Sequence, residues 1–531
     1  MAMVREGAAL SARGEVDTAY KLFGEAQSVF EKLRASGDTS EAVTYGLALS
    51  LFNQGTSVTY GGRGTAAQMN QAADLLRPLA HAPNASRQVR QAYVDTLNIL
   101  SHTQDKEAGV ASCAEARQIL VGLGALDYSN LNASSAYADV ADSEARHLTS
   151  LGRLDEAQKL EREVYDVAEK VLVQRPSDMR SLSNRFFAAN LLGTLAERRY
   201  DDATAADYAK RAAQAGEDYV RFNPADLTTW SWWVTGLEQV AQLQFERGDV
   251  TGALATYQSI MALKDDRRAP SSLGPVVWVR WLPIAAVQAQ LGDKAAAESA
   301  VKGLAHDLNE SVAQFAPEDR RRALFAQSEQ GLRARVALLE GDSQTALTDA
   351  TAMLDRTDKV NVPATDTNAN RTKNNMTRAL LGTAALASIR LGKHAQAETL
   401  ARRLVTVPND SNNTRADNDL QNARAAATLA HAIVLQGRAE EARAILQPAL
   451  AYGDSEFKAG AHGSSFRRDY AYALYVSALA RPANAEGRTQ REGDLAEAAK
   501  VIGGASAEVQ KMSAWREISD WIAAARAHSS T

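Results

Sequence analysis

Proline is spaced along this chain at almost constant intervals. Six of its twelve prolines lie 48, 46, 47, 46 and 45 residues apart. Because proline fixes φ and lacks a backbone N–H, it is tolerated at the end or in the first turn of a helix and is excluded from its middle. The spacing predicts a row of similar helical units, with boundaries at Pro176, Pro224, Pro270, Pro317, Pro363 and Pro408.

A second series, of glycines, alternates with the prolines. Its members lie 44, 49, 51 and 45 residues apart, at Gly248, Gly292, Gly341, Gly392 and Gly437. Two breaks per unit indicate two helices per unit, and glycine is the residue expected just after the first helix ends. About eleven antiparallel hairpins are predicted, with turns near residues 14, 64, 106, 152, 199, 248, 292, 341, 392, 437 and 493.

Small residues recur at fixed distances from these turns. Alanine stands five residues after eight glycines, from Gly14 and Ala19 to Gly493 and Ala498. Glycine or alanine also stands seven residues before most turns, and only apolar residues stand twelve residues after them. Small side chains let two helix axes approach to about 8 Å rather than about 10 Å. These positions therefore predict close crossings within each hairpin and a core-facing position on each second helix.

Taken together, these features resemble the tetratricopeptide repeat (TPR). The resemblance rests on the small residue of the first helix, the glycine and alanine five apart, the apolar second helix and the closing proline. The standard TPR unit has about 34 residues, whereas these units have 44–51. One unit departs from the pattern, with Arg199 and Thr204 in place of glycine and alanine. The resemblance implies an all-α, right-handed α-solenoid, similar to the sensor or interaction regions of bacterial signalling regulators.

A repeat array is one continuous body, because each unit buries its apolar face against its neighbours. We therefore predict a single solenoid over residues 1–531. Trp515, Ile518 and Ile522 form one apolar helical stripe near the end of the sequence, which is typical of a capping helix. The predicted subdivisions are less regular repeats in 1–125, the most regular repeats in 126–450, and a final repeat with its capping helix in 451–531.

Composition argues against two classes of partner. Lysine and arginine total 59 against 64 acidic residues, for a net charge of −5, so the basic surface of a nucleic-acid-binding protein is not expected. No run approaches the roughly 18 apolar residues that a membrane span needs, and the first residues lack the apolar centre of a signal peptide. We expect no membrane partner and, by default, a cytoplasmic location.

No motif predicts catalysis or metal binding. No two of the eight histidines have metal-ligand spacing, and the single cysteine, Cys113, excludes a Cys-rich zinc site and is expected to be a small buried residue. Residues 62–67 fit the pattern G-x-G-x-x-A, but no strand precedes them and no phosphate-binding lysine follows, so a flexible loop is predicted. We expect a protein that is not an enzyme and that carries no cofactor and no metal.

Candidate binding residues follow from the TPR resemblance, which places positions six, ten and thirteen before the turn in the concave groove. Their side chains are mixed and polar, and they lack the asparagine and lysine that a chaperone-binding TPR clamp requires. Such a lining either binds a partner or only solvates the inner face. The candidates are Asp142, Arg146, Glu238, Gln242, Arg335, Arg424 and His431.

Tryptophan is concentrated in one part of the chain. Five of the seven tryptophans lie within residues 230–281. One interpretation is an aromatic recognition patch, because tryptophan is common where binding energy is concentrated. The other is that large rings fill the space between long helices. Trp230 and Trp233 share one side of their helix, with Trp232 on the other, and are the candidates for such a patch.

Two hypotheses about function follow. The first is a non-enzymatic interaction scaffold that captures a peptide or protein partner in its groove, as the regulatory part of a larger bacterial signalling protein. The second is a sensory module that binds a small ligand and controls an attached output domain, such as a winged helix, a cyclase or a kinase. The first helix, which has room for only about ten residues before Gly14, indicates a chain cut from a longer one.

Overall fold

The computed structural model describes the chain except residues 14, 62–65, 314–315, 317–318, 326, 410–414 and 530–531. The described residues contain helices and no strand, which confirms the all-α prediction. Three short 3-10 segments lie at Leu263–Asp265, Ser271–Leu273 and Trp278–Arg280. The α-helices are α1 (Ala2–Ala12), α2 (Val16–Ala35), α3 (Glu41–Gly61), α4 (Ala66–Ala80), α5 (Arg87–Ser101), α6 (Lys106–Gly122), α7 (Leu131–Ser150), α8 (Leu154–Gln174), α9 (Met179–Glu197), α10 (Asp202–Phe222), α11 (Leu227–Glu246), α12 (Val250–Ala262), α13 (Gly274–Val277), α14 (Trp281–Leu291), α15 (Lys294–Ala313), α16 (Arg320–Phe325), α17 (Ser328–Leu339), α18 (Ser343–Lys359), α19 (Thr367–Arg390), α20 (His394–Thr406), α21 (Arg415–Val434), α22 (Ala439–Ala459), α23 (Ser464–Ala480), α24 (Ala485–Gly503), α25 (Ala507–Gln510) and α26 (Ser513–Ser529).

The chain forms two compact units. The N-terminal unit comprises Met1–Leu195 and Gln214–Phe222, and the C-terminal unit comprises Ala196–Ala213 and Asn223–Thr531. In the first, α1 packs on α2, α3 on α4, α5 on α6 and α7 on α8. In the second, the packed pairs are α11 with α12, α14 with α15, α17 with α18, α19 with α20, α21 with α22 and α23 with α24. Together with α9 and α10, which the turn at Tyr200 joins, the described residues contain eleven successive helix pairs, as predicted for a TPR-like repeat protein. The division of the repeats at residues 125 and 450 stays a prediction.

The glycine series ends the first helix of its hairpins, as predicted. All five glycines have φ between +71° and +92°. An L-residue with a side chain rarely adopts this left-handed conformation, whereas glycine does so at little cost. The residues concerned are Gly248, Gly292, Gly341, Gly392 and Gly437.

The described prolines of the series lie between helices, which confirms that they mark unit boundaries. They are Pro176, Pro224, Pro270, Pro363 and Pro408. Two other predictions fall outside the described residues, namely the boundary at Pro317 and the turn at Gly14. Most of the loop predicted to begin at Gly62 also lies outside them.

The turn between α9 and α10 corrects the register predicted there. The left-handed residue is Tyr200, with φ of 57°, and the buried small residue is Ala205. The spacing of five residues between the two positions is therefore kept, but each position lies one residue later than the predicted Arg199 and Thr204. Tyrosine is strained in this conformation, and its hydroxyl contacts the carboxylate of Glu456.

The last predicted turn is wrong. Gly493 lies inside α24, and the hairpin turns instead at residues 481–484. Ala498 is buried as expected, but Ala505 lies beyond the end of α24 and is only half-buried. A helix continues through Gly493 because a glycine that lacks a left-handed φ only weakens a helix and does not end it.

The last hairpin of the C-terminal unit contacts the helices at its beginning. The Ser464 hydroxyl donates a hydrogen bond to the Phe245 carbonyl oxygen at 3.0 Å, across 219 positions of sequence. Ser506 donates to the Gly248 carbonyl oxygen at 2.7 Å, across 258 positions. Both acceptors lie where α11 ends and the next turn begins. These contacts are not between neighbouring repeats, and they close this unit.

Helix α26 contains the apolar stripe that predicts a capping helix, a role that stays a prediction. Its stripe is buried, with Trp515 at 1%, Ile518 at 6% and Ile522 at 2% exposure. It packs on α14, α23 and α24. The Ser513 hydroxyl donates to the Leu339 carbonyl oxygen at 2.8 Å, which joins the start of α26 to the end of α17. Within the described part of the chain, no helix is both long and apolar enough to cross a membrane.

Candidate binding cavity

A cavity of about 530 Å³ lies in the C-terminal unit. Helices α17, α19, α21, α23 and α26 supply most of its wall. Its apolar side includes Leu339, Leu386, Ile518 and Trp521. This volume falls in the range of about 300–1,000 Å³ that is usual for small-molecule and cofactor sites. Helix α26 thus contributes directly to a concave surface with room for a ligand.

The polar side of the cavity carries an excess of positive charge. Five arginines and two carboxylates line it, so the excess is three charges. No lysine lies among the lining residues. The arginines are Arg335, Arg378, Arg390, Arg424 and Arg468, and the carboxylates are Asp469 and Glu517.

Two of these arginines are held by the two carboxylates. Arg390 donates to Glu517 Oε2 at 2.6 Å, and Arg468 donates through Nε to Asp469 Oδ1 at 2.6 Å. Burial alone would raise the pKa of Asp469, but the neighbouring arginines outweigh it and hold this pKa below its usual value. Asp469 is therefore ionised at neutral pH, and both carboxylates are already engaged.

The other three arginines lack a carboxylate of their own. Arg378 donates to the Val407 carbonyl oxygen at 2.6 Å. Arg424 lies 4.0 Å from Asp469, which is beyond hydrogen-bond distance. Arg335 has neither a hydrogen bond nor an ion pair with any described residue. Although solvent reaches it through the cavity, its enclosure by protein and the charges of Arg424 and Arg468 lower the pKa of Arg335 to about 10. It remains a cation at neutral pH.

His431 was predicted to face the groove, and the structure corrects this. Its side chain is 3% exposed, and its Nδ1 lies 2.9 Å from the Tyr472 hydroxyl. The ring also packs against Trp521, with centroids 5.5 Å apart. Burial lowers the pKa of His431 to about 3, so the imidazole is neutral at physiological pH. His431 thus supports two lining residues from behind, because α21 directs it towards α23 and α26.

The remaining candidates of the C-terminal unit do not line the cavity. Glu238 forms an ion pair with Arg280, and Gln242 is exposed on the same helix, α11. Trp230 is fully buried and donates its indole N–H to the Pro224 carbonyl oxygen at 2.9 Å. Trp233 packs against it with ring centroids 5.6 Å apart. Trp230 is therefore a core-packing residue in this structure.

Asp142 and Arg146 lie in the N-terminal unit, where they form an ion pair on α7 with Nε–Oδ2 and Nη2–Oδ1 distances of 2.9 and 3.0 Å. The Arg146 guanidinium also stands 5.1 Å from the ring centre of Phe187. The carboxyl group of Glu161, on α8, is buried beside this pair, and no N–H or hydroxyl donor of the described residues hydrogen-bonds to its oxygens. Burial, and then the charge of Asp142, raise the pKa of Glu161 well above its usual value.

Substitution of Glu161 by Gln is expected to change how stability depends on pH. Because the pKa of Glu161 is raised in the folded state, folding binds a proton that the unfolded chain has lost, and stability falls as pH rises above about 4.5. Glutamine cannot ionise, so at pH 8 the free energy of unfolding of E161Q is expected to exceed that of the wild type by about 1–3 kcal/mol. The variant should therefore unfold at a higher temperature. The two proteins should be similar near pH 4. Thermal unfolding followed by circular dichroism at both pH values provides the test, and an equal offset at both would contradict it.

Sequence reasoning identified Arg335 and Arg424 but missed most of the cavity. Arg378, Arg390 and Trp521 lie outside the TPR positions used for the prediction. Arg468 stands in the charged run Arg467-Arg468-Asp469 near the start of a largely apolar helix. Because this run interrupts apolar sequence, it could have identified Arg468 as a candidate. In the described part of the chain, no group of histidine, cysteine, aspartate and glutamate side chains is arranged to hold a metal ion.

No protein-family model matches the chain, and no curated protein matches it. Among solved structures, it is similar to a Rap protein complexed with competence and sporulation factor, at 12% identity and a TM-score of 0.35, over 76% of this chain and 96% of that one. It is also similar to yeast Tom70, at 12% identity and a TM-score of 0.33, over 86% of this chain and 93% of that one. The TPR-like architecture is assigned from this chain's own helix pairs and glycine turns, and not from these two similarities.

Proposed function

We propose that this protein is a non-enzymatic binding module that captures a peptide segment of a partner protein in the cavity of its C-terminal unit. The observation that carries the proposal is Arg335, a cation with no hydrogen bond or ion pair to a described residue, placed beside Arg424 in a concave site that is open to solvent. An arginine in such a place forms strong hydrogen bonds with an acidic group that reaches it. More specifically, we propose that capture of the peptide regulates a larger bacterial signalling protein.

A further property of the cavity favours a peptide. The apolar wall of Leu339, Leu386 and Trp521 offers a surface for an apolar side chain next to the arginines. A peptide provides an acidic group and an apolar group together.

Peptide capture by the purified chain should depend on the arginines of the cavity. Loss of one charged hydrogen bond costs about 1.5–3 kcal/mol, so the double variant R335A/R424A is expected to bind selected peptides at least about tenfold more weakly. A peptide library selected on the wild-type chain supplies the ligands, and fluorescence anisotropy measures the affinities. Q242A is the control, because Gln242 is an exposed candidate of the same unit outside the cavity.

Unchanged affinity in a folded R335A/R424A variant would remove the cavity from peptide capture. The volume of the cavity also suits the second candidate function, a small-ligand sensor. A small molecule that changes the fluorescence of Trp521, while the selected library yields no peptide that binds, would favour that candidate instead.

A further inference from the structure

We propose that this cavity selects a ligand group carrying two negative charges, a phosphomonoester or a dicarboxylate, attached to an apolar or aromatic body. The inference rests on the proposed function in that it assigns the chemistry of the same site. It differs from that function in what it predicts, because it names the charge and shape of the group that Arg335 recognises.

The first step is the balance of charge inside the cavity. Glu517 engages Arg390, and Asp469 engages Arg468 directly while lying 4.0 Å from Arg424. The lining residues therefore carry three positive charges in excess. Glu246, which is not among them, also attracts Arg468. A monoanion offsets one charge of this excess, whereas a dianion offsets two.

The second step is the type of cation. Each positively charged residue of the lining is an arginine. The guanidinium is a planar fork of N–H donors, which matches the spacing of two oxygens of a carboxylate or a phosphate. Arg335 and Arg424 come from α17 and α21, and the charge of Arg424 contributes to the lowered pKa of Arg335. These two forks repel each other, and one anionic group between them stabilises both.

The third step is the apolar body. Trp521 lines the cavity, and its ring stacks on Tyr475 with centroids 5.6 Å apart and an angle of 25° between the planes. His431 packs against the same ring from another side. These neighbours fix the orientation of the indole, and Leu339 and Leu386 extend the apolar surface. An aromatic or apolar group bound there gains by burial and stacking, whereas a bare inorganic anion cannot.

The charge excess is a local property of this cavity. The whole chain has a net charge of −5, so general attraction of anions to the protein does not account for it. The same anionic chemistry can come from the side chain of a phosphorylated peptide or from a free small molecule. The experiment therefore contains an arm for each source.

Calorimetric titration of the intact chain with small probes tests the charge. The probes are phenyl phosphate and phthalate as aromatic dianions, benzoate as the monoanion, and inorganic phosphate as the anion without a body. At pH 8, where the phosphomonoester carries two charges, we expect at least one of the two aromatic dianions to bind at least about tenfold more tightly than benzoate and than inorganic phosphate. R335A should abolish this preference, whereas R335K, which keeps the charge without the fork, should retain part of it.

R333A is the matched control. Arg333 lies on the same helix, α17, but pairs with Glu298 and Glu329 and does not line the cavity. R333A should bind the probes like the wild type. Equal affinity for benzoate and both aromatic dianions, or an unchanged preference in a folded R335A variant, would overturn the proposal.

The second arm uses one peptide in two forms, with tyrosine or with phosphotyrosine. Tighter binding of the phosphorylated form, lost in R335A, would assign the dianion to a peptide source. Arg335-dependent binding of phenyl phosphate with no binding of any peptide would support the dianion site and contradict peptide capture. Peptide binding that is equal for the phosphorylated and unphosphorylated forms, and that is unchanged in R335A, would support peptide capture and contradict the dianion site.

Discussion

Trp515→Ala is expected to destabilise the C-terminal unit by about 3–5 kcal/mol, the usual cost of truncating a large buried aromatic side chain. Trp515 is 1% exposed. Its ring faces Phe245 on α11, with centroids 6.1 Å apart, and the Arg468 guanidinium lies 5.1 Å from its centre. Removal of this ring takes away a contact between α26 and a helix from the beginning of the unit.

Denaturant unfolding followed by far-ultraviolet circular dichroism measures this effect as a shift of the transition midpoint. R516A is the control, because Arg516 is the next residue of α26 and is exposed, and its replacement should change stability by no more than about 0.5 kcal/mol. W515F should lose less than W515A. The indole N–H of Trp515 is buried without an acceptor among the described residues, so phenylalanine also removes an unsatisfied donor. A W515A midpoint equal to that of R516A would contradict the packing described for α26.

Gly236→Ala is expected to destabilise the same unit by about 1–3 kcal/mol, as overpacking does in a core that is already filled. A Cβ atom at position 236 would lie 2.6 Å from the backbone nitrogen of Ala213 and 2.7 Å from its Cα. Backbone atoms of α10 cannot move aside as a flexible side chain can. The helices would therefore have to separate, and this loss exceeds the gain in helix propensity of about 0.5–1 kcal/mol that alanine brings.

The same substitution at Gly331 should have the opposite sign. A Cβ atom at position 331, on α17, would meet only Leu380 Cδ2 at 3.6 Å, which is ordinary van der Waals contact. G331A is therefore expected to be neutral or stabilising by up to about 1 kcal/mol. Thermal unfolding of both variants gives the comparison, and a G236A protein as stable as G331A would show that α10 and α11 do not approach as closely as described.

The local architecture could be predicted from the sequence because turns and hairpins are specified over short distances. A glycine in the left-handed conformation and an alanine five residues later recur at most of the tight turns, and these residues are visible in the sequence. The unit at Tyr200 shows the limit of this reasoning, since a tyrosine takes the place of glycine with a hydroxyl contact to Glu456. That compensation comes from 256 residues away and leaves no local pattern.

The binding cavity could be predicted only in part for the same reason. Arg335 and Arg424 occupy inward positions that every repeat shares, and periodicity identifies such positions. Trp521 and Glu517 line the cavity because α26 returns to pack near α17, and nothing within α26 indicates which helices it will meet. His431 was expected to face the open space, but it is buried with its ring against Tyr472 and Trp521, which only tertiary packing determines.

The contacts of Ser464 with Phe245 and of Ser506 with Gly248 have a consequence for how this protein can evolve and fold. An open repeat array can gain or lose a module and remain stable, because each module interacts only with the next. Here an added or deleted module between residues 250 and 460 would displace the seam at which the two ends meet. We therefore expect the number of modules in this part to be fixed. Its assembly can finish only after residue 506 has been synthesised, and contacts between residues so distant in sequence form slowly.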